Sequence, residues 1–88
     1  MIRKRIVFSG RVQGVGFRWR ARQAALLYGC TGWCRNDWDG TVTMEIQGKE
    51  AAIEKVIRSL EAGRYIRIQN MDVTPVCPEP DEKGFITD

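Results

Sequence analysis

Residues 10 to 18 read Gly10-Arg11-Val12-Gln13-Gly14-Val15-Gly16-Phe17-Arg18, a set of residue types that can hold an anion without a metal. Gly14 and Gly16 permit positive φ and let the main chain approach a ligand closely. Successive N–H groups can then converge on one concavity. A helix beginning behind them adds about half a positive charge at its N-terminus. Arg18, at the start of that helix, supplies a planar fork that matches two phosphate oxygens. Taken alone, the same residues fit a tight turn beside a solvated arginine. Other glycine motifs do not match. A P-loop carries Lys-Ser or Lys-Thr after its last glycine, and a dinucleotide fingerprint needs glycine where Trp19 stands and a longer domain. The chain has no histidine, which removes the usual general base, phosphohistidine chemistry and most zinc sites.

The elements that must position these residues follow from periodicity. Arg5 to Gly10, β-branched and aromatic at its centre, reads as a strand leading into the glycine loop. Phe17, Ala21, Ala24, Ala25 and Tyr28 share one helical face, and Gly29 is a natural C-terminal stop. Thr31 to Asn36 is a short strand. Thr41 to Gln47 alternates, with Val42, Met44 and Ile46 on one face and Thr43, Glu45 and Gln47 on the other. Asp39-Gly40 marks a hairpin turn between them. Ile53, Val56, Ile57 and Leu60 define a second helix ended by Gly63. Tyr65 to Thr74 is a strand whose alternation slips between Ile68 and Met71, the mark of a β-bulge. The prolines and acidic residues from Pro75 to Gly84 read as a surface loop, and Phe85 to Thr87 as a short last strand. The order β-α-β-β-α-β plus a terminal strand predicts an α+β, ferredoxin-like sandwich: an antiparallel sheet with a short fifth strand and two helices on one face.

At 88 residues, 43% hydrophobic and 28% charged, the sequence suits a single globular domain spanning residues 1–88. No apolar run reaches the roughly 18 residues of a membrane span. The basic N-terminus is followed by too short an apolar stretch for a signal peptide, so the expected compartment is the cytoplasm. The three cysteines are expected to be reduced. Cys30 and Cys34, four strand steps or about 13 Å apart, lie beyond bridging distance. Residues 1–36 carry eight Lys or Arg and no acid, against six and eleven in residues 37–88. That asymmetry favours anionic ligands for the first segment.

Gln13-Gly14-Val15-Gly16-Phe17-Arg18 resembles the signature loop of the acylphosphatase family. Gly32-Trp33-Cys34-Arg35-Asn36, followed by Asp39-Gly40-Thr41-Val42, resembles that family's second motif, and the resemblance covers nearly the whole chain. It implies hydrolysis of acyl phosphates to a carboxylate and phosphate, with no metal or other cofactor. It further implies that the loop from Gln13 through Gly14, Val15, Gly16 and Phe17 to Arg18 holds the phosphoryl group, and that Asn36 positions the attacking water. The family fold it implies is a five-stranded antiparallel sheet with two helices on one face. The ending Phe85-Ile86-Thr87-Asp88 departs from the aromatic residue with which many members finish. The missing histidine fits this chemistry. A carboxylate, whose acid titrates near ~4.3, leaves without a proton, whereas an alcohol needs a general acid.

Several other readings are weaker. Asp37-Trp38-Asp39-Gly40-Thr41 resembles the aspartyl-nucleophile string of haloacid-dehalogenase phosphatases, but it follows Arg35-Asn36 instead of a buried strand and reads as a turn. It also lacks the ligand spacing of an EF-hand. No Cys-x-x-Cys metal pair exists. An RNA-binding module shares the element order but needs stacking aromatics on the third strand, where Val42, Met44 and Ile46 supply none; no nucleic-acid partner is expected. Similar domains also open larger hydrogenase-maturation proteins that process carbamoyl phosphate. The expected partner is a small acyl phosphate, bound by a monomer away from any membrane. Trp38, at the hairpin tip near the presumed mouth, is a candidate for touching the acyl group.

Overall fold

A computed structural model describes residues 1–88. Its strands are β1 (Ile2–Arg11), β2 (Thr31–Asn36), β3 (Val42–Gly48), β4 (Arg67–Val76) and β5 (Phe85–Thr87). Helices α1 (Phe17–Tyr28) and α2 (Glu50–Glu61) are inserted after β1 and β3. The strands form one sheet in the order β4-β1-β3-β2-β5, as split β-α-β units require. The limits of α1 and β2 coincide with those read from the sequence, because their signals are local: Gly29 closes α1 by donating its N–H to the Ala25 carbonyl.

One face of the sheet is covered by the helices. Ile6, Phe8, Val42, Met44 and Ile46 meet Ala21, Ala25, Ile53, Val56 and Leu60 there, all completely buried. Alanines along α1 let that helix sit close to the sheet, while each large aliphatic from α2 contributes roughly 2 kcal/mol by leaving water. Phe8 and Phe17 pack edge to face, with ring centroids 4.9 Å apart, and fix the start of α1 over β1. The expected bulge is present. Ser9 pairs with Asn70 and Gly10 with Ile68, so Gln69 is the extra residue of β4.

One expectation about the sheet changes. The sheet is mixed, since β5 runs parallel to β2 while the other pairs are antiparallel. The reason is the route taken by residues 77–84. β4 and β5 occupy opposite edges, so the chain must cross β1, β3 and β2 between them, about 19 Å at 4.8 Å per strand. It crosses at the end where β4 finishes, and the strand starting there must run the same way as β2.

This crossing also covers part of the face that Thr43, Glu45 and Gln47 share. Gln47 is buried beneath the crossing segment: its side-chain amide donates to the Glu79 carbonyl at 2.9 Å and its Oε1 accepts from the Glu79 N–H at 2.6 Å. Arg3 is buried beside it, with its guanidinium bonded to Glu45 at 2.8 Å and to both Glu82 oxygens at 2.7 and 3.0 Å. The loop expected from Pro75 to Gly84 starts later, because Pro75 and Val76 still pair with β1; residues 77–84 form a strap tied to the open face of the sheet. On that face the residues β3 presents are Thr43, Glu45 and Gln47, so the RNA comparison, made with Val42, Met44 and Ile46, concerned core residues. No stacking aromatic stands at the correct positions either.

Candidate active site

β1 ends at Arg11 and α1 begins at Phe17, so the glycine loop turns over the upper edge of the core. Gly14 and Gly16 both adopt left-handed backbone, φ 71° and 79°, a conformation costly for any residue with a Cβ. Gly16 is the N-cap of α1 and has no side chain to close the helix end. The N–H groups of Val15, Gly16, Phe17, Arg18 and Trp19 find no acceptor in the protein; the first bond of the helix is Arg20 N–H to the Gly16 carbonyl, 3.0 Å. A full turn of amide donors thus remains available at the positive end of α1.

An open cleft of about 370 Å³ lies against this turn, lined by Val12, Gly14, Gly16, Phe17, Arg18, Trp19, Arg22, Asn36 and Thr87. It joins the two residues that the motifs single out. Arg18 comes from the first turn of α1 and Asn36 from the last position of β2. Neither side chain bonds to another protein group, so the turn that would commit Asn36 to its own backbone is not formed. The lining carries no carboxylate, imidazole or thiol. Cys34, just behind Arg18, is completely buried, and burial pushes its thiol up to about 12 while the charge of Arg18 pulls weakly the other way. It remains a thiol and offers no nucleophile.

The remaining loop residues are divided by the structure. Phe17 is held in the core, so only its backbone and ring edge reach the cleft. Gln13 and Val15 face a different hollow, shared with Arg11, Gly14 and Tyr65. The Gln13 side-chain amide donates both its protons to the β2–β3 hairpin, reaching the carbonyls of Asp37 at 2.7 Å and Thr41 at 2.9 Å. Its side chain therefore holds the loop against the hairpin that carries Asn36.

That hairpin is rigid for its own reasons. The Asp37 carboxylate accepts from the hydroxyls of Thr43 at 2.6 Å and Thr41 at 2.9 Å, and from Arg35 at 3.2 Å. Partial burial pulls the Asp37 carboxyl upward, but these bonds outweigh it and hold the group below the ordinary carboxylate range. The Asp-x-Asp-Gly-Thr string is thus a turn whose first aspartate is spent on structure. Trp38 at its tip is 98% exposed and lies outside the cleft. The exposed aromatic that does line the cleft is Trp19.

Reading the sequence alone missed Trp19, Arg22 and Thr87. For Arg22 a signal existed: it stands four residues after Arg18, on the same helical face. Thr87 had none, because its place depends on the direction of β5.

A family model described as Acylphosphatase matches residues 4–87. The chain belongs to the acylphosphatase family. A relative named Acylphosphatase from Geobacillus kaustophilus is 42% identical over 86 residues, covering 97% of this chain and 92% of that protein. The crystal structure of acylphosphatase from Bacillus subtilis superposes with a TM-score of 0.90 at 29% identity, over 100% of this chain and 99% of the other. Full-length HypF, solved in a phosphate- and nucleotide-bound form, is matched with a TM-score of 0.83 and 30% identity, over 100% of this chain but 12% of HypF. This acylphosphatase-family chain thus has relatives of its own length as well as a counterpart inside a much longer protein.

Proposed function

We propose that the chain hydrolyses acyl phosphates to a carboxylate and inorganic phosphate. The observation that carries this reading is the cleft itself: Arg18, Asn36 and an unpaired turn of backbone amides meet there with no protein partner to occupy them. The amides of Val15 to Arg18 and the Arg18 guanidinium hold the three terminal phosphoryl oxygens. Gln13, Gly14, Val15, Gly16 and Phe17 shape that loop, with Gln13 acting through the hairpin. Asn36 accepts a hydrogen bond from a water through its amide oxygen and directs it at phosphorus. The new P–O bond forms as the bond to the acyl oxygen breaks. The carboxylate leaves unprotonated, and the proton of the water ends on phosphate or in solvent. Such a transfer needs positioning and charge stabilisation more than acid–base groups, which fits a lining without them.

The same reading makes the chain a metal-independent, cytoplasmic monomer acting on small molecules and not on nucleic acid. Positive charge at the site comes from arginine and amides, and the only side-chain oxygens offered there to a metal ion are those of Asn36 and Thr87. Three free thiols suit a reducing compartment. Phosphate release from benzoyl phosphate in excess EDTA tests the proposal. Turnover well above spontaneous hydrolysis is expected. A chain inert on benzoyl phosphate but active on aryl phosphate monoesters would overturn it.

A further inference from the structure

The cleft contains a second guanidinium that the hydrolysis just described does not use. Arg22 lies one helical turn beyond Arg18 and lines the same cavity. Its Nε donates to the Phe85 carbonyl at 3.2 Å, which ties the side chain to β5 and leaves its two terminal nitrogens without a protein acceptor. No carboxylate neutralises it: the ion pairs of this chain are made by Arg3, Arg5, Arg35 and Arg58. The third arginine of α1 shows the contrast, since Arg20 spends its Nε on the Ser59 carbonyl at 2.6 Å, at the junction with α2. The Thr87 side chain completes the wall beside Arg22.

We infer that Arg22, with Thr87 beside it, forms a second anion subsite, and that the preferred substrates are acyl phosphates whose acyl group carries a further carboxylate or phosphate. The inference rests on the acyl phosphate reading above and adds the class of acyl group. One phosphoryl group is already met by the fork of Arg18 and the amides of the loop. A second cation held in place, in a cleft without acidic groups, favours a ligand of higher negative charge. Arg18 and Arg22 line one cleft of about 370 Å³, so the two anionic groups belong to a single small molecule with a short acyl chain. Arg22 touches the acyl part and not the breaking bond, so it acts on affinity more than on the rate of the bound complex.

The test is a matched pair of substrates, succinyl phosphate and butyryl phosphate, which are alike in length and differ by one carboxylate. The wild-type chain is expected to favour succinyl phosphate in kcat/KM at low salt. The preference should shrink as ionic strength rises, because the subsite is open to solvent. In Arg22→Gln, the succinyl-to-butyryl ratio is expected to fall about tenfold, the size of one charge-assisted hydrogen bond, and to do so through KM. Arg22→Lys should recover part of that ratio, since it keeps the charge. Arg22 lies on the surface of α1, and a circular dichroism spectrum matching wild type establishes that the variants are folded. Equal loss on both substrates would show Arg22 serving the transferred phosphate and would overturn the subsite, as would a wild type with no preference. A wild type that hydrolyses neither substrate overturns the hydrolase reading itself, an outcome distinct from both.

Discussion

At the scale of single residues, Arg18 and Asn36 face one cleft, and neither side chain bonds to another group of the protein. A structural arginine in this chain looks different, as Arg3 shows with partners at 2.7 to 3.4 Å in every direction. Replacing either cleft residue should therefore cost activity and little stability. Arg18→Ala and Asn36→Ala are each expected to lower kcat on benzoyl phosphate by ~10²-fold or more, the size of loss seen when one preorganised hydrogen-bonding group is removed from an active site. Arg18→Lys should regain little, because an ammonium lacks the planar fork. Steady-state kinetics and thermal melts on the same samples separate the two effects; near-wild-type turnover in either alanine variant would refute the assigned roles. Arg22 also lines the cleft; its i, i+4 spacing from Arg18 places the two on one helical face, a signal legible in the sequence, whereas its tie to the Phe85 carbonyl depends on where β5 lies.

At the scale of elements, the phosphate loop and the β2–β3 hairpin belong to different parts of the chain, and Gln13 makes them one unit. Gln13→Leu preserves the bulk but leaves the Asp37 and Thr41 carbonyls without these donors. It should cost about 1–2 kcal/mol, read by urea unfolding. It should also lower kcat on benzoyl phosphate, because Asn36 is no longer held in register with Arg18. A kcat equal to wild type would show that the hairpin is positioned without Gln13. The elements themselves were largely legible. The apolar spacing of Phe17, Ala21, Ala24 and Ala25, the glycine after Tyr28 and the slip between Ile68 and Met71 are local signals, and each has its counterpart in the structure. The glycine pair and the strand-ending Asn are local signals too, and the structure brings them to one cleft. What could not be read was whatever depends on strand order: the parallel direction of β5, the burial of Arg3 and Gln47, and the arrival of Thr87 in the cleft. Those follow from a chain that must travel from one edge of the sheet to the other, and no periodicity records that journey.

At the scale of the whole molecule, the strap from Cys77 to Gly84 joins the sheet's two edges through one buried arginine. Arg3→Met removes the cation and leaves two carboxylates that keep only 17% and 18% of their exposure. The expected loss is about 3 kcal/mol, the low end for breaking a buried ion pair, measured by urea unfolding. The bond from Arg3 is the main reason the Glu82 carboxyl sits below the usual carboxylate range, against the opposing pull of burial. Its contribution to stability is therefore complete above the unfolded value near ~4.3 and disappears as pH falls through the lower folded value. Melting temperature should decline below about pH 4.5, and Glu82→Gln should flatten that decline while lowering stability at neutral pH. The strap rests on Arg3 from β1 and Gln47 from β3, and β5 follows it in the chain. The glycine loop, held by β1, α1 and the hairpin, takes no hydrogen bond from the strap, whereas the wall that bears Thr87 and anchors Arg22 depends on β5. On the proposed reading, loss of the three-residue last strand would spare the glycine loop and abolish the preference among acyl groups, because Arg22 is tied to the Phe85 carbonyl and Thr87 lines the same cleft.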